Sequence, residues 1–499
     1  MRQRFYLIQI FHGTIRGIAN LRMRIIIALA MKKLYTALPV FVLLFTSHLA
    51  FPQDTDFSTK LRELIPAEAR TNGKLGVAVN SLTTNERILD FNSEKLFIPA
   101  SNMKVIISVT ALSLLGADYR FKTEFCSGGE LANGVLYGGL YIKGYGDPTL
   151  STEYLRSIAD ELKKMGIREI RSGITVDASY FDNVEYGNGW KEEWKGDIYS
   201  PPIGALPLNY NTFDLSVYPS KFGSSPRVSL EPAGTNVNLI NKAVTSNRGS
   251  LVARWLEDGK TVLLQGRIST RTPIYTLKLP VHSPAVYTGS AFKKILEESG
   301  IKVEGFITVG EVPRWASIFY THFSEPLYLI VSAYNKNSVN LIGENIIKTL
   351  GAKFKGEPGT WENGAQVVSD FLRKIGIKGD FNIVDGSGLS PLNKISPDIM
   401  TQVLKYGYKD KDISLYFLSS LSVAGVDGTL KNRFRASDVT GRIIAKTGYL
   451  NNVRTLSGYI YTKTGDVLTF SILANGLGWK AKEFQDDLLS RLMECCESN

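Results

Sequence analysis

The alternation of apolar and polar residues divides the chain into two helix-rich flanks around a β-rich middle. In the first flank, short apolar runs over 75–80 and 87–91 predict two strands, and an apolar run over 101–115 predicts a helix. From 119 to 274, strand-like runs alternate with Gly-rich turns, and one helical pattern over 152–165 interrupts them. These changes in periodicity indicate that one domain is inserted into another.

The second flank returns to helical periodicity and ends with a predicted hairpin. Its predicted helices cover residues 289–299, 327–350, 360–375, 397–406 and 480–493. The apolar runs 456–461 and 467–474, separated by a short polar turn, predict two paired strands. The chain has 499 residues, enough for two or three domains. We therefore expect an α+β domain built from 54–118 and 275–499, with 119–274 inserted as one or two modules.

The first fifty residues have the composition of a targeting segment. They contain no Asp or Glu, and a basic pair at 32–33 precedes a mainly apolar run over 38–45 and small or polar residues up to Ala50. This order is typical of a secretory signal peptide, and the apolar run is shorter than the roughly 20 residues that span a bilayer. A buried N-terminal helix is the alternative. We expect residues 1–53 to be an extension and signal peptide, with Met31 as the true start.

Export changes the interpretation of the net charge. The formal net charge is +11, and seven basic residues lie among the first fifty, so their removal leaves +4. No basic stripe with interleaved aromatic residues follows, and nucleic acid is therefore not an expected partner. The expected localisation is the periplasm, with no firm membrane anchor after signal cleavage.

Cysteine and histidine are too scarce to indicate a metal site or a histidine-based catalytic triad. The three cysteines, Cys126, Cys495 and Cys496, are an odd number, so at least one is expected to be free, and a cysteine-based metal site would need more ligands. Two of the four histidines lie in the targeting segment, which leaves His282 and His322. This scarcity argues against a metal hydrolase and a Ser-His-Asp triad. No metal or organic cofactor is expected.

The first candidate for catalysis is Ser101 with Lys104, at the start of the predicted apolar helix. Residues three apart share a helix face, so the hydroxyl and the amine can meet. A helix start also offers free backbone N–H groups for a developing oxyanion, and a lysine of lowered pKa can serve as a base. The same spacing at 290–293 and 299–302 is interpreted as ordinary positions on a solvated helix.

Two further short motifs follow in the second flank. Ser338-Val-Asn340 is the only Ser-x-Asn in the chain and lies beside or within an apolar helix, where a capping role for Ser338 is the alternative. Lys446-Thr-Gly448 follows a strand-like run, whereas a second Lys-Thr-Gly at 463–465 lies between two predicted strands and is interpreted as a turn. Each motif is weak alone, and their order along the chain gives them weight.

Ser-x-x-Lys, Ser-x-Asn and Lys-Thr-Gly, in this order, are the motifs of the penicillin-recognising serine enzymes. The chain resembles the D-alanyl-D-alanine carboxypeptidase/endopeptidases, the low-molecular-mass class C penicillin-binding proteins. The resemblance covers nearly everything after the predicted signal, in phrases at 97–104, 146–150, 205–209, 335–340, 385–390, 424–430 and 445–448. It implies a β-lactamase/transpeptidase-like catalytic domain, an antiparallel sheet flanked by helices, with a large β-rich insertion.

The resemblance also implies a mechanism and a substrate. Ser101 would attack the carbonyl between two D-alanines of a peptidoglycan stem peptide or cross-link, giving an acyl-enzyme that water releases. Lys104 would be the base. Ser338 and Lys446 would relay protons, and like-charge proximity would keep the base partly neutral. β-Lactam antibiotics would be covalent inhibitors.

Substrate binding is expected from the remaining motif residues. Asn340 would hold the substrate's amide. Lys446 and Thr447 would hold its terminal carboxylate, with Gly448 completing the motif. The backbone N–H groups of the nucleophile and of Tyr449 would form the oxyanion hole.

Three positions depart from the family's pattern. They are Val339, Pro391 and Tyr449, where Asp or Asn, Arg and Thr respectively are usual. None of them removes a catalytic side chain. The alternative functions are a β-lactamase and a cell-wall-binding protein without turnover. The long insertion and the peptidase phrases argue against the first, and the complete set of motif side chains argues against the second.

An aromatic and acidic stretch at 190–199 lies where the resemblance places recognition of the peptide's diamino acid. The carboxylate of Glu193, or of Asp197, would pair with the free ammonium group, with Tyr199 stacking or hydrogen-bonding beside them. A solvated turn with structural aromatic residues is the alternative.

Overall fold

A computed structural model describes residues 55–435 and 439–493. The predicted signal peptide, Met31, Cys495 and Cys496 lie outside these residues. Within the described ranges, no helix is both long enough and apolar enough to cross a membrane.

The α-helices of the described residues are numbered in chain order. They are α1 (Thr55–Glu63), α2 (Ala67–Asn72), α3 (Met103–Leu115), α4 (Thr152–Lys164), α5 (Pro284–Glu298), α6 (Leu327–Lys336), α7 (Asn340–Lys355), α8 (Trp361–Lys374), α9 (Pro397–Lys409), α10 (Ser414–Ser420) and α11 (Lys480–Leu492).

The strands follow the same numbering. They are β1 (Leu75–Ser81), β2 (Arg87–Phe91), β3 (Lys122–Ser127), β4 (Leu131–Ala132), β5 (Val135–Leu136), β6 (Leu140–Gly144), β7 (Glu169–Ile170), β8 (Ile174–Asp177), β9 (Thr212–Tyr218), β10 (Arg227–Glu231), β11 (Asn238–Asn241), β12 (Val244–Ser246), β13 (Ser250–Trp255), β14 (Thr261–Ser269), β15 (Tyr275–Pro280), β16 (Lys302–Val303), β17 (Ile307–Val309), β18 (Ser317–Phe323), β19 (Ser422–Val423), β20 (Ile443–Leu450), β21 (Val453–Tyr461) and β22 (Val467–Asn475).

One six-stranded antiparallel sheet joins the two flanks of the chain. Its strand order is β19-β20-β21-β22-β1-β2, and β1 from the first flank pairs with β22 from the second. Nearly every residue of β21 and β22 is buried, because helices cover both faces of the sheet. Helices α1, α2 and α11 pack on one face, and α3 and α9 pack on the other. The predicted antiparallel sheet flanked by helices is confirmed.

Helix α3 is enclosed on all sides. Every residue from Met103 to Leu112 is buried, and α3 contacts α6, α7, α8 and α9. A helix that is apolar all round is typical of a core position. The fold therefore places Lys104, in the first turn of α3, away from water.

The middle of the chain forms four smaller sheets around a separate apolar core. The five-stranded sheet has the order β17-β8-β6-β3-β18, and a four-stranded sheet has the order β16-β7-β5-β4. The other two are β10-β9-β15 and a sheet in which β11, β12 and β13 all pair with β14. Helices α4 and α5 contribute buried residues to the same core. The predicted β-rich character of this region is confirmed.

Strand pairing bears on where the inserted region ends. The expected boundary after residue 274 falls between β14 and β15, yet β15 pairs with β9, β17 pairs with β8 and β18 pairs with β3. We propose that the inserted region extends to about residue 323, just before α6. The helical pattern of α5, which resembles the flanks in periodicity, explains why the sequence favoured an earlier end.

Two predictions in the second flank have different outcomes. The hairpin is confirmed, since β21 and β22 pair in antiparallel register from Val453–Asn475 to Tyr461–Val467. The second Lys-Thr-Gly lies in its turn. The single helix predicted over 327–350 is wrong, because the chain leaves helical geometry after α6 and starts again at α7. That break contains the Ser-x-Asn motif.

Candidate active site

Ser101 lies in a short 3₁₀ turn, Ala100–Asn102, that leads directly into α3. The backbone of Ala100 has a φ of +47°, so the chain turns sharply as it reaches the helix. Ser101 is half-buried, and Lys104 follows one turn later with a fully buried side chain. Lys104 Nζ is 3.1 Å from Ser101 Oγ. The predicted meeting of hydroxyl and amine on one helix face is present.

The amine of Lys104 has three hydrogen-bond acceptors. Besides the Ser101 hydroxyl, it donates to Asn340 Oδ1 at 2.7 Å and to the carbonyl oxygen of Ser387 at 2.7 Å. Burial lowers the pKa of Lys104 to about 7, against the opposing pull of two carboxylates, Glu344 and Asp385. An amine with this pKa is partly neutral at neutral pH and can accept a proton.

The Ser-x-Asn motif forms the junction between α6 and α7. Ser338 has a φ of +56°, a left-handed conformation that few residues other than glycine adopt and that breaks the helix. The residue before α7 is Val339, and no side chain caps that helix. The alternative of a capping role for Ser338 is therefore wrong. The break instead directs Ser338 towards Lys446 and lets Asn340 contact Lys104.

Lys446 lies on β20 and is fully buried. Its Nζ donates to Ser338 Oγ at 3.0 Å and to the carbonyl oxygen of Thr447 at 2.9 Å. Burial, and then the neighbouring Lys104, lower the pKa of Lys446 well below its usual value. The resemblance attributes the neutral form of Lys104 to this like charge, whereas in the structure burial is the main cause of its lowered pKa.

Gly448 allows β20 to run against the turn that holds Ser101. A Cβ at this position would lie 2.1 Å from Thr455 Oγ1 and 3.1 Å from the backbone nitrogen of Ser101. Thr455 in turn donates its hydroxyl to the carbonyl oxygen of Pro99 at 2.8 Å, which ties β21 to the same turn. A side chain at 448 would push the strand away from the serine.

The residues on either side of Gly448 are accessible from the solvent side. Thr447 is half-buried, and its hydroxyl donates to Thr429 Oγ1 at 2.8 Å. The side chain of Tyr449 is exposed, and the Arg454 guanidinium lies 3.7 Å from the centre of its ring.

The predicted 190–199 stretch contacts, through its backbone, the cluster formed by Ser101, Lys104, Ser338, Asn340 and Lys446. The carbonyl oxygen of Tyr199 accepts a hydrogen bond from Asn340 Nδ2 at 2.7 Å. This contact and the Lys104 contact together fix which way the Asn340 amide faces. Glu193 and Asp197 are both exposed, and Glu193 pairs with Lys191 at 3.4 Å. The structure thus brings Tyr199 to the cluster and leaves the two carboxylates at the surface.

Sequence reasoning missed two buried carboxylates beneath the cluster. Glu344 lies on α7 one turn after Asn340, and Asp385 begins the turn at 385–390. Asp385 accepts hydrogen bonds from the Gly388 backbone at 2.8 Å and from Trp190 Nε1 at 2.9 Å. Asp385 begins the family phrase 385–390 and Glu344 closely follows the phrase 335–340, which was the available signal, but the burial of the two carboxylates cannot be inferred from the sequence alone.

The other copies of the motifs lie elsewhere. In the 290–293 copy of Ser-x-x-Lys, Lys293 Nζ donates to the Gly305 carbonyl at 2.7 Å in the middle region. The three motifs in family order are therefore the ones that meet around Lys104.

Comparison with known proteins identifies relatives along nearly the whole chain. A model of the D-Ala-D-Ala carboxypeptidase 3 (S13) family matches residues 58–494. A D-alanyl-D-alanine carboxypeptidase of Actinomadura sp. (strain R39) is 33% identical over 459 residues, which covers 87% of this chain and 85% of the relative. The D-alanyl-D-alanine carboxypeptidase DacB of Haemophilus influenzae is 27% identical over 410 residues, which covers 81% and 85%.

Solved structures give the same family. The crystal structure of penicillin-binding protein 4 from Haemophilus influenzae matches with a TM-score of 0.76 and 26% identity, covering 87% of this chain and 99% of that chain. A structure of that protein complexed with a β-lactam matches with a TM-score of 0.71 and 25% identity, over the same shares of both chains. The chain thus belongs to the S13 family of D-Ala-D-Ala carboxypeptidases and is a serine peptidase.

Proposed function

We propose that Ser101 is the nucleophile of this D-Ala-D-Ala carboxypeptidase and that Lys104 is its general base. One observation supports this assignment above the others. A buried amine whose pKa is about 7 lies 3.1 Å from a half-buried hydroxyl at the start of a helix. Lys104 Nζ takes the proton of Ser101 Oγ as the oxygen attacks the carbonyl carbon between the two D-alanines.

The oxyanion then forms beside backbone N–H groups. Those of Ser101 and Tyr449 are the donors in our proposal, and the close approach of β20 that Gly448 permits supports it. When the peptide C–N bond breaks, the departing D-alanine nitrogen needs a proton. Ser338 Oγ gives this proton and regains one from Lys446 Nζ, its hydrogen-bonded neighbour, as Lys446 takes up the proton that Lys104 removed from Ser101. Water then attacks the acyl-enzyme and restores the Ser101 hydroxyl.

The substrate is a peptidoglycan stem peptide or cross-link. In our proposal, Asn340 holds the amide of the substrate with the second hydrogen of its NH₂ group, since the first is bonded to Tyr199. Lys446 and Thr447 hold the terminal carboxylate. Cleavage of a cross-link requires the same acyl transfer, so carboxypeptidase and endopeptidase activities share this machinery.

The surface carboxylates of the 190–199 stretch are the proposed partners of the ammonium group on the peptide's diamino acid. Glu193 and Asp197 lie on the same stretch as Tyr199, whose carbonyl contacts Asn340, and in our proposal one of them pairs with an ammonium group on a bound peptide. Both side chains are exposed, which is also what the alternative, a solvated turn, predicts.

β-Lactams and the periplasm complete the proposed function. The structure of a relative complexed with a β-lactam supports acylation of Ser101 by the same class of compound. The composition of the first fifty residues supports export to the periplasm, where the peptidoglycan substrate lies.

Digestion of purified muropeptides tests the activity directly. Mass analysis of the products separates loss of one alanine from monomers, which is carboxypeptidase activity, from conversion of dimers to monomers, which is endopeptidase activity. We expect at least one of these changes with the wild-type protein and neither with Ser101→Ala. Unchanged muropeptides after incubation with the folded wild-type protein would contradict the proposed function.

A further inference from the structure

Glu344 and Asp385 are fully buried behind Lys104 and have no role in the mechanism above. Burying an ionised carboxylate costs several kcal/mol unless hydrogen bonds or charges compensate. Glu344 shares a face of α7 with Asn340, four residues earlier, so the carboxylate and a predicted substrate-binding amide point the same way.

Glu344 is held by three N–H donors. Its Oε2 accepts from Trp361 Nε1 at 2.7 Å and from the Gly386 backbone at 2.9 Å, and its Oε1 accepts from the Ser387 backbone at 2.8 Å. Burial and the nearby Asp385 raise the pKa of Glu344, whereas the three donors oppose this rise and favour its charged form. The side chain therefore attaches α7 to the turn at 385–390.

That turn supplies one of the three acceptors of the Lys104 amine. The carbonyl oxygen of Ser387 lies 2.7 Å from Lys104 Nζ, and the backbone N–H of the same residue is one of the donors to Glu344. The contact between turn and helix is close, because a Cβ at Gly386 would lie 2.0 Å from the Gly343 carbonyl oxygen. The carboxylate therefore helps to hold the Ser387 carbonyl in place, together with the Tyr334 hydroxyl, which donates to the Gly386 carbonyl.

We propose that Glu344 is a positioning residue for acyl transfer, which holds the Ser387 carbonyl against Lys104 Nζ and supplies a negative charge beside that amine. This inference rests on the proposed roles of Ser101 and Lys104. With the Ser387 carbonyl in place, the amine has a fixed orientation towards the Ser101 hydroxyl.

The charge of Glu344 acts together with the other groups that face Lys104. These are Lys446 on β20, Asp385 in the turn and the ring of Tyr334 on α6, 5.5 Å from the amine. Burial disfavours the charged amine, and the two carboxylates oppose this effect. Without that opposition, Lys104 would be a weaker base than proton transfer at neutral pH requires.

The other cation beside Glu344 is already paired. Lys348, one turn further along α7, donates to Asp182 Oδ1 at 2.6 Å and to the Val184 carbonyl at 2.8 Å. Removal of the Glu344 charge is therefore expected to act mainly on Lys104.

The test measures the rate of acylation by a fluorescent penicillin as a function of pH. Glu344→Gln keeps the size of the side chain, removes its charge and presents an amide NH₂ to N–H donors. We expect acylation to slow roughly 10–100-fold, as misplacement of a reacting group does. The midpoint of the acid limb should move to lower pH by about one unit, because Lys104 loses an attractive charge.

Asp147→Asn is the matched control, since Asp147 is also a fully buried carboxylate but lies in the middle region, bonded to Thr149. Its midpoint should equal that of the wild type. A Glu344→Gln variant with the wild-type rate, or with a slower rate and an unmoved midpoint, overturns the inference.

If Glu344→Gln does not fold, Glu344→Asp takes its place. It keeps the charge and shortens the reach to the Gly386 and Ser387 amides, so we expect a slower rate with the midpoint within about 0.3 unit of the wild type. A wild-type rate in Glu344→Asp overturns the inference as well. Absence of acylation in the wild-type protein would instead refute the proposed function.

Discussion

Two buried lysines lie beneath Ser101 in different electrostatic surroundings. Lys104 has carboxylates nearby and its pKa falls to about 7, whereas burial and then the neighbouring Lys104 lower the pKa of Lys446 well below its usual value. The first is suited to accept a proton at neutral pH, and the second donates a hydrogen bond to Ser338. Two residues of the same type thus acquire separate roles from their neighbours.

The pKa of Lys104 sets the pH dependence of acylation. We expect the acylation rate of the wild-type protein to rise from about pH 5 to about pH 9, with a midpoint near 7. The sign follows because only the neutral amine accepts the Ser101 proton, so the rate falls as pH drops through the pKa of Lys104. Quenched labelling with a fluorescent penicillin at constant ionic strength measures this, and a flat profile would contradict it.

The two Lys-Thr-Gly copies allow a matched test of the role of Lys446, because each copy begins with a lysine that can be replaced by alanine. Lys446→Ala removes a buried donor to Ser338 and should lower kcat/KM at least about 100-fold. Lys463→Ala alters a hairpin turn between β21 and β22 and should stay within about twofold of the wild type. Hydrolysis of a D-Ala-D-Ala peptide by both folded variants measures the difference. Equal losses would mean that the wrong copy was chosen.

At the residue scale, the sequence identified the three motifs and their order. It could not identify the cause of the lowered pKa of Lys104, because that depends on burial within α3 and on Glu344 and Asp385, which are distant in the chain. Spacing predicts which side chains share a helix face, and it does not predict which charges surround them.

At the scale of the elements, two features bring the motifs together. One is the break between α6 and α7, and the other is the passage of β20 beside Ser101. The apolar pattern over 327–350 continues through the break, so periodicity alone predicted a single helix. Ser338 adopts its left-handed conformation within that pattern, where its hydroxyl accepts a hydrogen bond from Lys446. Strands β21 and β22, by contrast, were predictable, because their apolar runs flank a short polar turn.

The approach of β20 depends on Gly448. In Gly448→Ala, the new Cβ would meet Thr455 Oγ1 at 2.1 Å and the Ser101 nitrogen at 3.1 Å, so the strand must shift. We expect a stability loss of about 1–3 kcal/mol and a loss of acylation of at least about tenfold. Gly249→Ala is the control, because its Cβ would meet nothing nearer than 3.5 Å. Thermal unfolding and penicillin-labelling rates of both variants test this prediction. A labelling rate in Gly448→Ala equal to that of the wild type would count against the proposed oxyanion hole.

On the scale of the whole molecule, two hydrogen bonds of the 190–199 stretch join the inserted region to residues at and beneath the cluster. Trp190 donates to Asp385 and the Tyr199 carbonyl accepts from Asn340, so both ends of one stretch touch residues of the α+β domain. The β-rich character of the insertion was predictable from its turns and short strands. The end that we propose, at about residue 323, rests on the pairing of β15, β17 and β18, which joins segments far apart in sequence.

The surface carboxylates of the same stretch allow a test of substrate recognition. Glu193→Gln should lower kcat/KM for a peptide with a free ammonium group on its diamino acid by roughly tenfold or more, and have little effect when that group is acetylated. Glu192→Gln is the control, since Glu192 is an adjacent exposed carboxylate paired with Lys195. Equal effects on both peptides, or equal effects of both variants, would favour the solvated-turn alternative.

The most direct measurement of the central claim is covalent labelling of the wild-type protein and of Ser101→Ala by a fluorescent penicillin, followed by peptide mass mapping. We predict one labelled peptide in the wild type, containing Ser101 with Lys104 one turn away, and no label in Ser101→Ala. Ser290→Ala, at another Ser-x-x-Lys, should label like the wild type. Label that persists in folded Ser101→Ala, or that maps to another serine in the wild type, would contradict the account.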